Sequence, residues 1–220
     1  MNGQLATQGG LLELVESGGI IGWILLGLSI VALTLVLLHA WTIRASRLLP
    51  VEQIEALGGA LREGDLDKAL SICRAESGDA LPARVVEHAI RRVQSSPLGG
   101  LELYDAAEEA GAEEVARLGR GLEGLSVIAA IAPLLGLLGT VLGMVDAFQA
   151  IASQGPQAAP ELASSISLAL VTTLLGLALA IPCVALHAWF RVRLEAIAAD
   201  GGRIMEALLA PLAAVEPTDR

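Results

Sequence analysis

Two apolar stretches of this sequence carry hydroxyl and small side chains at helical spacing, with almost no charge. The first reads APLLGLLGTVLGMVDAF, from Ala132 to Phe148. Gly136 with Thr140, and Gly139 with Gly143, form two pairs of small residues one turn apart. The second reads SSISLALVTTLLGLALAIP, from Ser164 to Pro182. Ser165, Ala169, Thr172, Gly176 and Ala180 fall on one stripe at spacings of three and four, and Thr173 lies one position round. In lipid such faces let helix backbones approach closely. Either the two faces pack within one subunit, or their hydroxyls line a wet, ion-carrying interface. Thr and Ser suit the second role because they donate and accept hydrogen bonds without a charge. Pro133 is expected to bend its helix, and Pro182 to kink its own and free the Ala178 carbonyl.

An ion path inside a membrane calls for an ionisable group. The candidates are Asp146, His39 and His187. Asp146 stands five residues before Ile151, about 7.5 Å at roughly 1.5 Å per residue, so it is near one end of its stretch. It shares a face with Gly139 and Gly143. It can meet a partner helix there or reach headgroup water. Both histidines sit near segment ends. No carboxylate lies mid-segment, so a proton carrier is expected from another chain. Cys73 and Cys183 form no zinc or disulfide spacing. There is no HExxH, no phosphate loop and no nucleophile elbow. The chain is therefore read as non-enzymatic, with no cofactor and no metal site.

The elements that must carry these residues follow from hydropathy. Of 220 residues, 54% are apolar and 17% charged, against about 25% charged in soluble domains. Mean hydropathy is +0.65. Of the 38 Asp, Glu, Lys and Arg residues, 25 lie between Arg44 and Glu123. Residues 20–41 and 166–190 carry no formal charge, and residues 125–151 carry only Asp146. A helix over the first is roughly 33 Å long and spans a hydrocarbon core of about 30 Å. The other two are longer and span with tilt. Trp23, Trp41 and Trp189 lie near segment ends, where an amphipathic ring meets both phases. The net charge of −10, with no basic cluster beyond Arg91–Arg92, argues against a nucleic-acid partner.

Orientation follows from the arginines. Arg44 and Arg47 follow the first segment, Arg117 and Arg120 precede the second, and Arg191 and Arg193 follow the third. Residues 1–19 and 152–165 hold no Lys or Arg. The positive-inside rule then gives an extracytoplasmic N-terminus (1–19), a first span (20–41), a cytoplasmic helical domain (42–124) and a second span (125–151). A short extracytoplasmic loop (152–165), a third span (166–190) and a cytoplasmic C-terminal helix (191–220) complete the order. Glu13 and Glu16, without a basic n-region, argue against a cleaved signal peptide. In the cytoplasmic part, 51–64, 67–76 and 81–93 read as short helices, with breaks at Leu57-Gly-Gly and Gly64-Asp. Residues 95–100 read as a loop. Residues 101–124 are strongly helical and run on into the second span.

These residues and their order resemble the ExbB/TolQ/MotA family of proton-channel subunits, and the ExbB/TolQ branch most. The second segment carries the pattern APxxGLxGTVxGMxxAF and the third IxxALxTTxxGLxxAIP. The first segment, GGIIGWILLGLSIVALTLVLLHAW, matches in place more than in content. The resemblance implies an all-α membrane protein of the bacterial inner membrane that forms a homopentamer. Its second and third spans line a central pore. The ring encloses the helices of a dimeric single-span partner like ExbD or TolR, which carries the essential aspartate. Proton motive force then drives work on a TonB-like or other periplasmic or outer-membrane effector.

The resemblance places two ion-pathway threonines at Thr140 and Thr173. Gly136, Gly139, Gly143, Thr172, Gly176, Pro133 and Pro182 are left to pore and helix packing, and Asp146 to a minor role. One position departs from the pattern: Leu168 stands where ExbB and TolQ members carry a glutamate. Alternative readings are a stator-like subunit of a motility or defence system, and a membrane scaffold that conducts nothing.

Overall fold

The computed structural model describes residues 10–75, 80–95 and 103–213, and every regular element among them is helical. In chain order these are α1 (Gly10–Ser17), α2 (Gly19–Thr42), α3 (Ala45–Leu48), α4 (Val51–Arg62), α5 (Leu66–Ala75), α6 (Leu81–Ser95), α7 (Leu103–Gln154) and α8 (Ala159–Ala213). A short 3-10 turn, Gly155–Ala158, joins the last two. The chain divides into two compact units, residues 1–37 with 123–188 and residues 38–122 with 189–220.

The first unit holds the apolar stretches. α2 is apolar on every side, as a helix in lipid must be. Among the described residues, three helices are long and apolar enough to cross a membrane: α2, α7 and the 159–210 part of α8. Ile21, Leu25, Ala132 and Ala180 make a small buried core, with Leu135, Leu175 and Leu179 packed against it. Outside it Leu134, Phe148, Leu170 and Ile181 are all more than 60% exposed. In water such a surface is a docking or aggregation liability; in a bilayer it is matched by acyl chains. α1 lies in the segment expected as an extracytoplasmic tail. It ends where Gly19 takes φ +59°, a left-handed turn that glycine adopts without strain. Gly22 then passes the Val15 carbonyl so closely that a Cβ would stand 2.3 Å from it.

The second unit is a helical bundle. Its core is built by Leu57 and Leu61 of α4, Ala69 of α5, Val85, Val86 and Ile90 of α6, Ala106 and Ala110 of α7, and Met205 and Leu209 of α8. α6 buries this apolar stripe and turns its charges outward. Arg84 meets Glu114 at 3.3 Å and Arg92 meets Glu109 at 2.8 Å, tying α6 to α7. The break expected at Leu57-Gly-Gly is absent: α4 runs through Gly58 and Gly59. Gly58 is buried, with room for Leu208, where a Cβ would stand 3.2 Å from its Cδ2. Close packing outweighs the helix cost of glycine, about 1 kcal/mol. The chain breaks instead at Gly64, φ +71°. Asp65 then caps α5 by accepting the Lys68 amide at 2.9 Å. Glu76 and most of the 95–100 loop fall outside the described residues.

α7 contains Pro133 and stays helical from Leu103 to Gln154, and α8 stays helical through Pro182. α7 and α8 also extend into residues 152–165, leaving only the turn Gly155–Ala158 between them. That segment lacks Lys and Arg but is rich in Ala, Ser and Gln, which tolerate helix well.

Candidate functional site

The two small-residue faces meet each other. Gly139 of α7 lies over Thr172 of α8, so that a Cβ there would fall 2.1 Å from the Thr172 Oγ1. Gly143 lies against the Ser165 carbonyl and the Ala169 methyl, with a Cβ 2.6 and 2.8 Å away. Gly176 of α8 fits against α7 in return, its Cβ position 2.5 Å from the Ala132 carbonyl. Gly136 completes the seam, where a Cβ would stand 3.0 Å from both the Thr172 carbonyl and the Thr173 Cα. A Cβ at Gly143 or Gly176 would press on backbone carbonyls, one at Gly139 on the Thr172 side chain, and one at Gly136 would need its neighbours to give slightly. Small residues here permit contact that any larger residue would prop open. Within this chain, then, the glycines join α7 to α8.

Three threonine hydroxyls lie on or beside the seam. Thr172 is fully buried, and its Oγ1 donates to the Ala169 carbonyl at 2.8 Å, with the Gly136 carbonyl farther off at 3.4 Å. Thr173 is half-buried; its Oγ1 reaches the Gly136 carbonyl at 3.2 Å and the Ala169 carbonyl at 3.4 Å. Each hydroxyl has one hydrogen, so the two distances for each residue are alternatives. The nearer partner of Thr173 is on the other helix, whereas that of Thr172 is on its own. Gly136 is the i−4 residue of Thr140, so its carbonyl is also the ladder acceptor for the Thr140 amide. Thr140 turns its own Oγ1 back to the Leu137 carbonyl at 2.6 Å. A single carbonyl thus joins the two residues singled out for ion passage: Thr140 through its amide and Thr173 through its hydroxyl.

Asp146 is exposed and lines an open polar cleft of about 460 Å³ with Gln149, Ser153, Glu161, Ser164 and Ser165. Glu161 was not singled out in the sequence, where it sits in a stretch that reads as loop. The short turn brings it back beside α7, and it accepts the Gln154 side-chain amide at 2.6 Å. Ser165 belongs both to this cleft and to the seam below Gly143.

The remaining candidates lie elsewhere. Leu168 places its Cδ1 beside Gly19, 3.7 Å from where a Cβ would stand. His39 is in the second unit, its ring edge-on to Phe190 at 6.0 Å. Trp23, Trp41 and Trp189 are all exposed, and the Arg193 guanidinium sits 5.7 Å from the Trp189 ring centroid. Among the described residues no group of three His, Cys, Asp or Glu side chains is placed to hold a metal ion.

Comparison with known proteins gives the seam its context. The model of the MotA/TolQ/ExbB proton channel family matches residues 78–201, which include all of it. An ExbB homologue of Methanothermobacter thermautotrophicus is 30% identical over 191 residues, 85% of this chain and 65% of that protein. An ExbB-like protein of Synechocystis sp. is 39% identical over 178 residues, 78% of this chain and 66% of that one. The biopolymer transport protein ExbB of Salmonella typhimurium is 30% identical over 152 residues, 66% of this chain and 62% of its own length. The chain spans just under two thirds of the length of these relatives. With a match over more than half its residues, the chain belongs to the MotA/TolQ/ExbB proton channel family, on the ExbB/TolQ side.

Proposed function

We propose that this protein is a non-enzymatic channel and motor subunit that uses the proton motive force, with a single-span ExbD/TolR-like partner, to energise periplasmic or outer-membrane processes. The observation that carries this reading is the Thr173 hydroxyl, weakly held at the Gly136 carbonyl, in a family of proton channels. A hydroxyl so placed can turn from the carbonyl to a partner's carboxyl group. It can then donate to the ionised form or accept from the protonated one. Leu168 supplies no acid, so the carrier in this reading is the partner's aspartate.

The ring is proposed to be a homopentamer in a bacterial inner membrane, with the N-terminus outside and residues 42–124 in the cytoplasm. The cleft with Asp146 and Glu161 is then a hydrated mouth on the outer side. The glycines being occupied within the chain, contacts between subunits fall to the exposed apolar faces, such as Leu134, Val141 and Phe148 of α7.

A second reading, a scaffold that conducts nothing, draws on the same hydroxyls, since Thr140, Thr172 and Thr173 all find backbone carbonyls within the chain. Proton flux into liposomes separates the two. With a co-expressed single-span partner carrying an aspartate near the start of its span, the channel reading expects flux that needs both chains and that aspartate. Equal flux with and without the pair would leave the scaffold.

A further inference from the structure

Residues of α7 between 104 and 116 and of α8 between 198 and 209 flank an apolar groove of about 630 Å³, inside the helical unit and apart from the seam. Leu81 and Val85 of α6, both buried, close it from behind. α7 lines it at steps of three and four, through Tyr104, Glu108, Gly111, Ala112 and Val115. α8 does the same through Ala198, Gly201, Gly202, Met205 and Glu206. Three helical turns are about 16 Å long, so the groove is elongated. Volumes of roughly 300–1,000 Å³ with an apolar lining and a few convergent polar groups are those of ligand sites.

Two glycines leave room in this groove that the fold itself does not use. Nothing lies within 4 Å of a Cβ placed at Gly202. At Gly111 the nearest atom, the Val85 Cγ2, stands at an ordinary 3.9 Å. Both glycines are inside helices, where alanine is more favourable. At the seam each glycine is matched by the facing helix; at Gly202 no described residue does that. A wall of small residues lets a further backbone come close. An elongated groove of this kind takes a helix that presents apolar residues at i, i+3, i+4 and i+7.

Charge selects the occupant. Glu108 and Glu206 are both exposed, and neither has a cationic partner among the described residues. Glu109 and Glu114, by contrast, hold Arg92 and Arg84, and Asp200 holds Arg203. Glu108 stands 46 residues before the end of α7 at Gln154, and Glu206 stands 47 residues after the start of α8 at Ala159. On antiparallel helices that places the two carboxylates at one level, on opposite walls. Like charges so placed repel, and a cation between them removes that cost. Tyr104, 39% exposed, stands toward the same end, and a phenol ring attracts a cation over its face. Arg84, Arg92 and Arg203 of this chain are engaged in their own ion pairs, which disfavours a second copy as the source of the cation.

We propose that this groove binds a basic amphipathic helix of another protein. Its apolar residues enter along Gly111, Ala112 and Gly202, and a Lys or Arg lies between Glu108 and Glu206. The proposal does not depend on proton conduction.

Fluorescence anisotropy of the full chain in phosphatidylcholine nanodiscs tests this. The probe is a labelled peptide of leucine and lysine, about five turns long, with leucines at i, i+3, i+4 and i+7. The controls are the same residues in strict alternation, which form no apolar helical face, and a leucine–glutamate counterpart. Only the helical leucine–lysine peptide should bind saturably, at one copy per chain. Glu108→Gln with Glu206→Gln should weaken it about fivefold, the size of two exposed ion pairs. Glu113→Gln, exposed on α7 but outside the groove, should not change it. Gly202→Trp keeps every charge, meets no neighbour at its Cβ and fills the groove, so it should abolish binding while the melting temperature holds. In a background lacking Cys73 and Cys183, a benzophenone on Gly202→Cys should cross-link to the peptide. Equal binding of either control peptide would overturn the proposal. So would unchanged binding in Gly202→Trp or in the glutamate pair, or displacement by tetraphenylphosphonium, a small apolar cation, at equal concentration. Cross-links between copies of this chain that the peptide does not suppress would overturn it too, and would put a second copy in the groove.

Discussion

The Thr173 hydroxyl of α8 meets the Gly136 carbonyl of α7 at 3.2 Å, across a seam where a Cβ at Gly136 would stand 3.0 Å from the Thr173 Cα. The contact is long for an O–H···O bond, whose usual separation is about 2.7–2.8 Å. It is a weak bond in a tight place. The packing fixes where the hydroxyl is, and the hydrogen bond does little to hold it there. Such a group can exchange partners without separating the helices.

Replacing Thr173 with Val keeps the shape and removes the hydroxyl. The lost helix–helix bond is worth about 0.6 kcal/mol on the average for membrane proteins, so folding and assembly should survive. If the hydroxyl stabilises a carboxylate in transit, the loss is of the order of an unpaired charge in the bilayer, about 2.5 kcal/mol. That slows a step roughly sixtyfold at about 1.36 kcal/mol per decade. Proton flux in liposomes with the partner should fall accordingly in Thr173→Val and stay near wild type in Thr173→Ser. Wild-type flux in a Thr140→Val, Thr173→Val double variant would show that both hydroxyls only pack.

Gly139→Ala should destabilise the chain by about 1–3 kcal/mol through overpacking. The new methyl would stand 2.1 Å from the Oγ1 of a fully buried Thr172, which has nowhere to go. Gly27→Ala is the matched control, since nothing lies within 4 Å of a Cβ there. Thermal melting in detergent compares the two, and equal melting temperatures would mean the seam is looser than described.

Asp146→Asn should keep most of the function. Its carboxylate is exposed in an open polar cleft that also holds Glu161. Flux reduced as far as by loss of the partner's aspartate would put Asp146 in the ion path. Glu161→Gln should be equally mild.

Orientation can be read by labelling. In a background lacking Cys73 and Cys183, Gln157→Cys in the turn between α7 and α8 should react with an impermeant maleimide on whole cells. Glu55→Cys, exposed on α4, should react only after the membrane is opened. The opposite pattern would reverse the topology and move the acidic cleft to the cytoplasmic side.

Burial, helped by the Glu87 charge, pushes the Cys73 thiol from its ordinary 9.0 up to about 11. The folded state therefore favours the neutral thiol. Below pH 9 both folded and unfolded chains carry it, and the stabilisation is complete. Between pH 9 and about 11 the unfolded chain ionises first, so stability falls as pH rises. Melting followed over that window should show a drop that is smaller in Cys73→Ala, and Cys73 should label slowly at pH 8 until the protein is denatured.

Much of this protein is written along the chain. Three uncharged or nearly uncharged stretches, the arginines that flank them, and the GLLGTVLGM and LVTTLLGL runs are local patterns. They give the apolar helices and the family without a contact being known. Helical periodicity also puts Gly139 with Gly143, and Thr172 with Gly176, on single faces. It does not say which face each one meets. That the α7 glycines receive Thr172, Ala169 and Ser165 of the same chain was decided by the docking of two helices, because only backbone separation distinguishes packing within a subunit from packing between subunits. The shared Gly136 carbonyl is likewise a tertiary fact, since its two donors are 33 positions apart in sequence. Glu161 came beside the cleft of Asp146 because the chain reverses in a four-residue turn, whereas charge counting made all of residues 152–165 a short loop. Gly58 stayed helical where glycine pairs usually break a helix, because Leu208, 150 residues away, fills the space it leaves. In each case local propensity was outweighed or completed by a neighbour remote in sequence, and that neighbour is fixed only when the helices pack.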